Sequence, residues 1–488
     1  TPAGVRSSSR AVATDAGCDP SSIAAVVRRR PVGSNAWAAG AARTIGSRAL
    51  IANDPHLDLT IPGIWYLLDL QSPGVHAAGA TIPGLPGVVL GHNDSIAWAT
   101  TNADMTTTSL FAAGRLDPAR WVTERFGVRF GREVLVRYYR TPREFSVPNE
   151  SDASKITLVR WPVYAERRST IETALALDRA RDARDALRIL ARYHGSPQNF
   201  IVADRSGAVA YHVAGLVPDD PAWGRYVHPA SDLGAIFAAI PFARLPARSA
   251  SRAAVVLSAN NKPYGAAYPY RLSAQFEPPY RAYRIAQLLY ARSGFDLAYF
   301  ERMQLDTLSP IDLEIARDLG MHNWDGRFTA DSRAASVEHT LRLALFGDGA
   351  PSAQMNALRA GRRDVDSYAI AGLSGAQPWG ETGGMRIEHV LAPLNFPFLD
   401  GGWLPGAGDE YTIHLQEPKI AQGFRAVWVA GDWDRGGIAI PSGESGEPGS
   451  GHYTDLTRDW IAGILRPLPF SRAAVDASAA AVLTLRPN

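Results

Sequence analysis

From residue 34 onward the chain is written in short apolar runs cut off by glycine and proline. That texture limits the fold more than any other feature. "ALIAND" (49–54), "GVVLGHND" (87–94) and "IAWATTN" (96–102) have strand length, with turn-forming residues between them. "NFIVADRSGAVAYHVAG" (199–215) alternates on both sides of Asp204-Arg205-Ser206-Gly207 and predicts a hairpin. The period then changes. Apolar residues recur at helical spacing over 181–194, 279–292, 296–305, 310–320 and 333–347. Strand signals return in "EYTIHL" (410–415) and "FRAVWVAGDWD" (424–434). Strands, a helical middle and strands again predict a layered α+β domain rather than alternating βαβ units. Residues 1–33 differ: "SSSR", "DPSS" and "VVRRRPVG" carry little apolar periodicity and read as a tail or linker.

Charge and cysteine content narrow the function classes. A net charge of +2 on 488 residues provides no basic field for nucleic acid or an anionic membrane. No run of about 18 apolar residues predicts a membrane span. The lone Cys18 excludes an internal disulfide and a cysteine-built zinc site. The chain begins at Thr1 and displays no signal peptide.

Common catalytic motifs are absent: there is no HExxH, CxxC, Walker loop or GxSxG elbow. "DWDRGG" (432–437) opens like a calcium loop, but Gly443 stands where a bidentate Glu is required, so it reads as an acidic turn after a strand. What remains is "PVGSNAWAAG" (31–40). An internal serine needs a separate base, whereas a serine at a chain start carries one, its α-amino group. That amine has a pKa of about 7.7–8.0, against about 10.4 for lysine, so it can act as a base near neutral pH. Creating it requires cleavage at Gly33–Ser34. Glycine before the serine permits the strained dihedrals such a cut needs.

Several stretches in one order carry a resemblance. "GSNAWA", "NDPHL" and "PGLPGVVLGHNDSIAW" are followed by "QNFIVAD", "SANNKP", "PYRAYRIAQLL", "NWDG", "SGESGEPGSGHYTD" and "RPLPFSRAAV". Over 34–488 the chain resembles the β chain of the penicillin acylase family of N-terminal nucleophile (Ntn) amidohydrolases. The resemblance implies an Ntn-hydrolase αββα four-layer sandwich with a helical insertion at about 280–350. It makes residues 1–33 the tail of an α chain or a spacer. It implies an acylase cutting a linear amide of a small acylated molecule, with no metal or organic cofactor.

The resemblance also assigns residues. Ser34 matches the nucleophile, and Gly33–Ser34 the self-cleavage bond. His56 matches the position that orients the serine hydroxyl or amine. It is the form associated with cephalosporin-, lipopeptide- and acyl-homoserine-lactone-type acylases. Asn102 matches the backbone N–H of the oxyanion hole. The second donor falls in "LSANN", where Ser258 stands at the expected asparagine position and Asn260 is the chosen amide over Asn261. Arg281 matches the arginine that holds this asparagine. The calcium-binding aspartates are replaced by "TTTS" (106–109), and a further ligand position by Tyr270, so no calcium is expected there. His92 and His452 read as structural, with His452-Tyr453 steadying the core beside the pocket.

In the family an α segment precedes the cut and builds part of the acyl pocket, so the resemblance implies an α partner or segment beyond this chain. It also implies the periplasm or the cell exterior. Two other readings stay open: a non-catalytic or unprocessed remnant scaffold, and an ordinary serine hydrolase using Ser196 or Ser450.

Overall fold

A computed structural model describes residues 33–485, except 115, 147–155, 167, 169, 236, 274, 347–374 and 395. The predicted tail over 1–32 and the last residues of the predicted helical middle lie outside the described residues. The first apolar runs become β1 (Ser34–Ala39) and β2 (Leu50–Asp58), paired antiparallel with Ser34 opposite Pro55. The chain then lays down a second sheet. Its strands are β3 (Tyr66–Ser72), β4 (Val75–Thr81), β5 (Leu90–Asn93), β6 (Ile96–Asn102), β7 (Gln198–Asp204), β8 (Val209–Ala214) and β9 (Ala247–Ser251). They form a seven-stranded antiparallel sheet in the order β9-β8-β7-β6-β5-β4-β3. It returns to the first sheet with β10 (Val255–Ser258), β11 (Ile420–Gln422), β12 (Arg425–Val429) and β13 (Gly436–Ala439). That sheet runs β10-β1-β2-β12-β13, with β11 also pairing to β2.

The predicted hairpin is β7–β8. Asp204 Oδ1 accepts the N–H groups of Ser206 and Ala208, and Gly207 takes a φ of +88° that favours glycine.

Helices cover the outer faces. α1 (Thr170–Leu177) and α2 (Ala183–Leu190) lie on the second sheet, and α3 (Tyr280–Tyr290) and α4 (Leu297–Gln304) on the first. α5 (Pro310–Asp318) and α6 (Arg333–Phe346) continue beyond α4. Asp182, Asp296 and Ser309 start α2, α4 and α5 by accepting a backbone N–H in the first turn.

Strand alternation sorts the side chains into three layers. Ala36, Ala38, Ile51, Ala99, Ile201 and Trp428 fill the space between the sheets. Trp37, Ala39, Ile285, Leu289, Phe300 and Met303 join the first sheet to α3 and α4. Trp98, Phe200, Leu177, Ala183, Ala186 and Leu190 join the second sheet to α1 and α2. The order is helix, sheet, sheet, helix. Among the described residues no helix is long and apolar enough to cross a membrane.

Two expectations change. "EYTIHL" is a bend, not a strand, because Thr412 Oγ1 bonds the backbone of Asp409 and His414 and folds the segment on itself. His452 is not in the core. Its side chain is 79% exposed and pairs with Asp455, while Tyr453 alone is buried, donating its hydroxyl to Leu399 O.

Candidate active site

The same alternation decides where the first residues of β1 point. Ala36 and Ala38 enter the inter-sheet layer and Trp37 and Ala39 the helix layer. Ser34 therefore faces the space between the sheets and Asn35 faces the helices. Across β2, Asn53 faces inward with Ser34, donating to Asn35 O and Thr100 O, while Asp54 and His56 face the helices beside Asn35.

Four of the five residues singled out in the sequence form one chain of hydrogen bonds. Ser34 N–H donates to Asn260 Oδ1 at 2.6 Å. Asn260 Nδ2 donates to Asn102 O at 2.9 Å. Arg281 Nη2 donates to Asn260 Oδ1 at 3.2 Å, and its Nη1 donates to Ser34 O at 2.9 Å and Asn35 Oδ1 at 2.7 Å. Asn260 is fully buried and holds a φ of +62°, a conformation asparagine tolerates better than most residues. Ser258 instead pairs its hydroxyl with Thr101, and Asn261 bonds Ala259 N and Lys262 O, so of the three amide or hydroxyl positions only Asn260 contacts Ser34.

Asn102 offers its backbone N–H as well. The bond from Ala103 N to Pro197 O makes the Asn102–Gln198 pair a non-hydrogen-bonded one. The Asn102 N–H consequently turns away from β7, past the end of β5.

His56, the fifth residue, sits opposite Gly33. Its backbone N–H donates to Gly33 O at 2.8 Å. A Cβ placed on Gly33 would lie 2.8 Å from His56 Nδ1 and 3.1 Å from Arg281 Nη2. Burial holds His56 well below the usual histidine value, with help from Arg281 and His414, so the ring is neutral.

Ser34, Gly33 and Asn102 wall a cavity of about 360 Å³. Its other walls are largely apolar, among them Leu57, Trp65, Val88, Leu90, Trp98 and Phe200, with Ala174 contributed by α1. A larger cavity of about 410 Å³ opens by Trp161, Trp223 and Phe237, and none of the site residues lines it. Ser196 lies exposed on a turn, and Ser450 Oγ accepts the His452 N–H; neither lines the cavity beside Ser34. Among the described residues no group of three His, Cys, Asp or Glu could hold a metal ion.

Around this cluster lie residues that the motifs did not single out. Asn35 and Asp54 bridge Arg281 to His56. Both stood inside quoted motifs, and a polar residue in the apolar strand "SNAWAA" was the available signal. Glu277 lies 3.7 Å from Arg281. Asp104 has a φ of +47° and is pushed up to about 8, first by burial and then by Glu277, with Arg281 opposing. Gln422 bonds Asp54 from β11, and nothing in its local sequence announced that.

The penicillin amidase family model matches residues 4–477. The chain belongs to the penicillin amidase family. Among its relatives, penicillin acylase 2 proenzyme of Pseudomonas sp. (strain SE83) is 25% identical over 92% of this chain and 68% of its own length. Acyl-homoserine lactone acylase QuiP of Pseudomonas aeruginosa is 29% identical over 59% of this chain, which spans only 37% of that relative. The thermostable penicillin G acylase of Alcaligenes faecalis superposes with a TM-score of 0.65 at 16% identity, covering 93% of this chain and all of that one. This last likeness carries the fold: the helix–sheet–sheet–helix order is that of a penicillin amidase.

Proposed function

We propose that the protein is an acylase that cleaves itself between Gly33 and Ser34 and then hydrolyses linear amides through an acyl-Ser34 intermediate. One observation carries the reading: both sides of the Gly33–Ser34 peptide are held by polar groups suited to its cleavage. Gly33 O accepts the His56 N–H at 2.8 Å. Ser34 N–H is held by Asn260 Oδ1 at 2.6 Å.

In processing, Ser34 Oγ attacks the Gly33 carbonyl carbon. Charge develops on Gly33 O, where the His56 N–H stabilises it. The C–N bond breaks, the Ser34 nitrogen takes up the hydroxyl proton, and water hydrolyses the resulting ester, releasing the Gly33 carboxylate. The freed amine stays beside Asn260 Oδ1. The neighbouring Arg281 cation disfavours its protonated form, leaving a lone pair to take the Ser34 hydroxyl proton. Ser34 then attacks the substrate carbonyl, with Asn102 N–H and the second Asn260 Nδ2 hydrogen on the developing oxyanion. The amine leaves, and water releases the acid.

The apolar cavity beside Ser34 suits the acyl group of a β-lactam, lipopeptide or acyl-homoserine lactone amide. An α chain or segment would complete its walls, as the proenzyme relative suggests, and the periplasm or cell exterior is the compartment consistent with the family. The test is intact mass and a substrate panel. The wild-type chain should yield a species beginning at Ser34 and release acid from at least one of the three amide classes. Ser34→Ala should do neither. Cleavage of the Ser34→Ala chain at this bond, or a wild-type chain that stays sealed and inert, would refute the reading in favour of another protease or a non-catalytic scaffold.

A further inference from the structure

We propose that Asp54 is a positioning residue for His56: its carboxylate takes the Nε2 proton and leaves Nδ1 as the lone-pair nitrogen against the Gly33–Ser34 junction. A count of hydrogens carries this. Arg281 has only donors, and its Nη1 lies 2.7 Å from Asn35 Oδ1, so the Asn35 amide has one orientation. Asn35 Nδ2 then has two hydrogens. Ile413 O at 2.9 Å and Asp54 Oδ2 at 3.1 Å use both. None is left for His56 Nε2, although it lies 3.2 Å from Asn35 Nδ2. The remaining neighbour of Nε2 is Asp54 Oδ2, an acceptor, at 3.3 Å. Nε2 must therefore be the protonated nitrogen.

Asp54 Oδ2 is ringed by donors, since Gln422 Nε2 also bonds it while giving its other hydrogen to Gln304 O at 2.9 Å. Burial drives the Asp54 carboxyl upward, against Asn35, Gln422, Arg281 and Arg425. Oδ2 already accepts hydrogens from Asn35 and Gln422 and Oδ1 accepts none, so a proton taken up by the carboxyl is placed on Oδ1 and Oδ2 stays an acceptor in either state. His56 is neutral, which is what makes the choice of tautomer matter. Its Nδ1 is buried without a hydrogen-bond partner and packs on Gly33. A buried polar atom left unpaired costs stability and calls for a use. Here the use is a proton acceptor beside the scissile bond, one that takes the Ser34 hydroxyl proton and passes it to the Ser34 nitrogen as the C–N bond breaks. Only this use rests on the acylase reading, because the tautomer follows from the hydrogen bonds and from the burial that keeps the ring neutral.

The experiment is nitrogen-15 NMR of the histidines in the full uncut Ser34→Ala chain, with His56 assigned by its loss in His56→Gln. Expected is a bare Nδ1 and a protonated Nε2. Asp54→Leu, similar in size and without an acceptor, frees an Asn35 hydrogen for Nε2 and should move the ring proton to Nδ1. In the Ser34 chain the same change should slow self-cleavage about 10²-fold. Asp54→Asn keeps a carbonyl oxygen facing Asn35 and Gln422. It should retain the tautomer and cleave at least about tenfold faster than Asp54→Leu, a separation that loss of packing alone would not produce. A protonated Nδ1 in the unsubstituted site, or an Asp54→Leu chain with unchanged tautomer or cleavage rate, overturns the proposal. If Asp54→Leu does not fold, the spectra of the unsubstituted and Asp54→Asn sites decide it. A Ser34 chain that never cleaves counts against the acylase reading and leaves the tautomer result standing.

Discussion

Asn260 Oδ1 accepts the Ser34 N–H at 2.6 Å across 226 positions of sequence. The same oxygen accepts Arg281 Nη2, so one amide joins the first strand, the end of β10 and α3 at the bond proposed to break. Asn260→Ala should leave the buried Ser34 N–H unpaired and remove an oxyanion donor. The expected loss is on the order of 10²–10³ in amide turnover, with a destabilisation of about 1–3 kcal/mol. Single-turnover acyl transfer and urea denaturation measure the two. Unchanged turnover would remove Asn260 from the mechanism.

Gly33→Ala tests how closely the junction is packed. The added Cβ would meet His56 Nδ1 at 2.8 Å and Arg281 Nη2 at 3.1 Å, and both side chains are buried. Arg281 is tied to Ser34 and Asn35, so it cannot give way cheaply. The junction should shift instead, slowing self-cleavage by about tenfold or more with little change in global stability. A time course of intact mass follows it.

Asp104 gives stability a pH dependence. Its folded value of about 8 lies above the ordinary 3.8, so between roughly pH 4 and 8 the unfolded chain has lost a proton that the folded chain retains. Stability should fall as pH rises through that window, by at most about 1.4 kcal/mol per pH unit from this group, and level off above pH 8. Asp104→Asn, which tolerates the positive φ, should flatten the decline. Urea midpoints at pH 5 and pH 8 for both chains compare the slopes, and equal slopes would refute the assignment.

Ala174→Phe should fill part of the cavity beside Ser34 from α1. Long acyl amides should lose kcat/KM relative to short ones, by about tenfold or more for a chain overfilled by one or two methylenes. An unchanged ratio would place the acyl group elsewhere.

Much of the fold was legible from residue order. The short apolar runs became β2, β5, β6 and the β7–β8 hairpin, and the period-3.6 runs became α2 to α6, because each hides one apolar face and its spacing names the element. "EYTIHL" misled for a physical reason. Its alternation resembles a strand, but Thr412 Oγ1 competes for the backbone and the carbonyl of Ile413 is taken by Asn35. His452 misled because its motif lies on a turn, where a neighbouring tyrosine rather than the histidine enters the core.

The order of motifs was enough by itself to imply the family, and through that resemblance Ser34 as the expected nucleophile and Gly33–Ser34 as the expected cleavage bond. It named Asn260 over Ser258 and Asn261 without showing what that amide would touch, and it did not bring Asp54, Gln422 and Glu277 into the account. Those choices depend on which side of a strand a residue faces and which donors have already spent their hydrogens. Hydrogen bonds between residues hundreds of positions apart are set by sheet register and packing, so only the tertiary structure decides them.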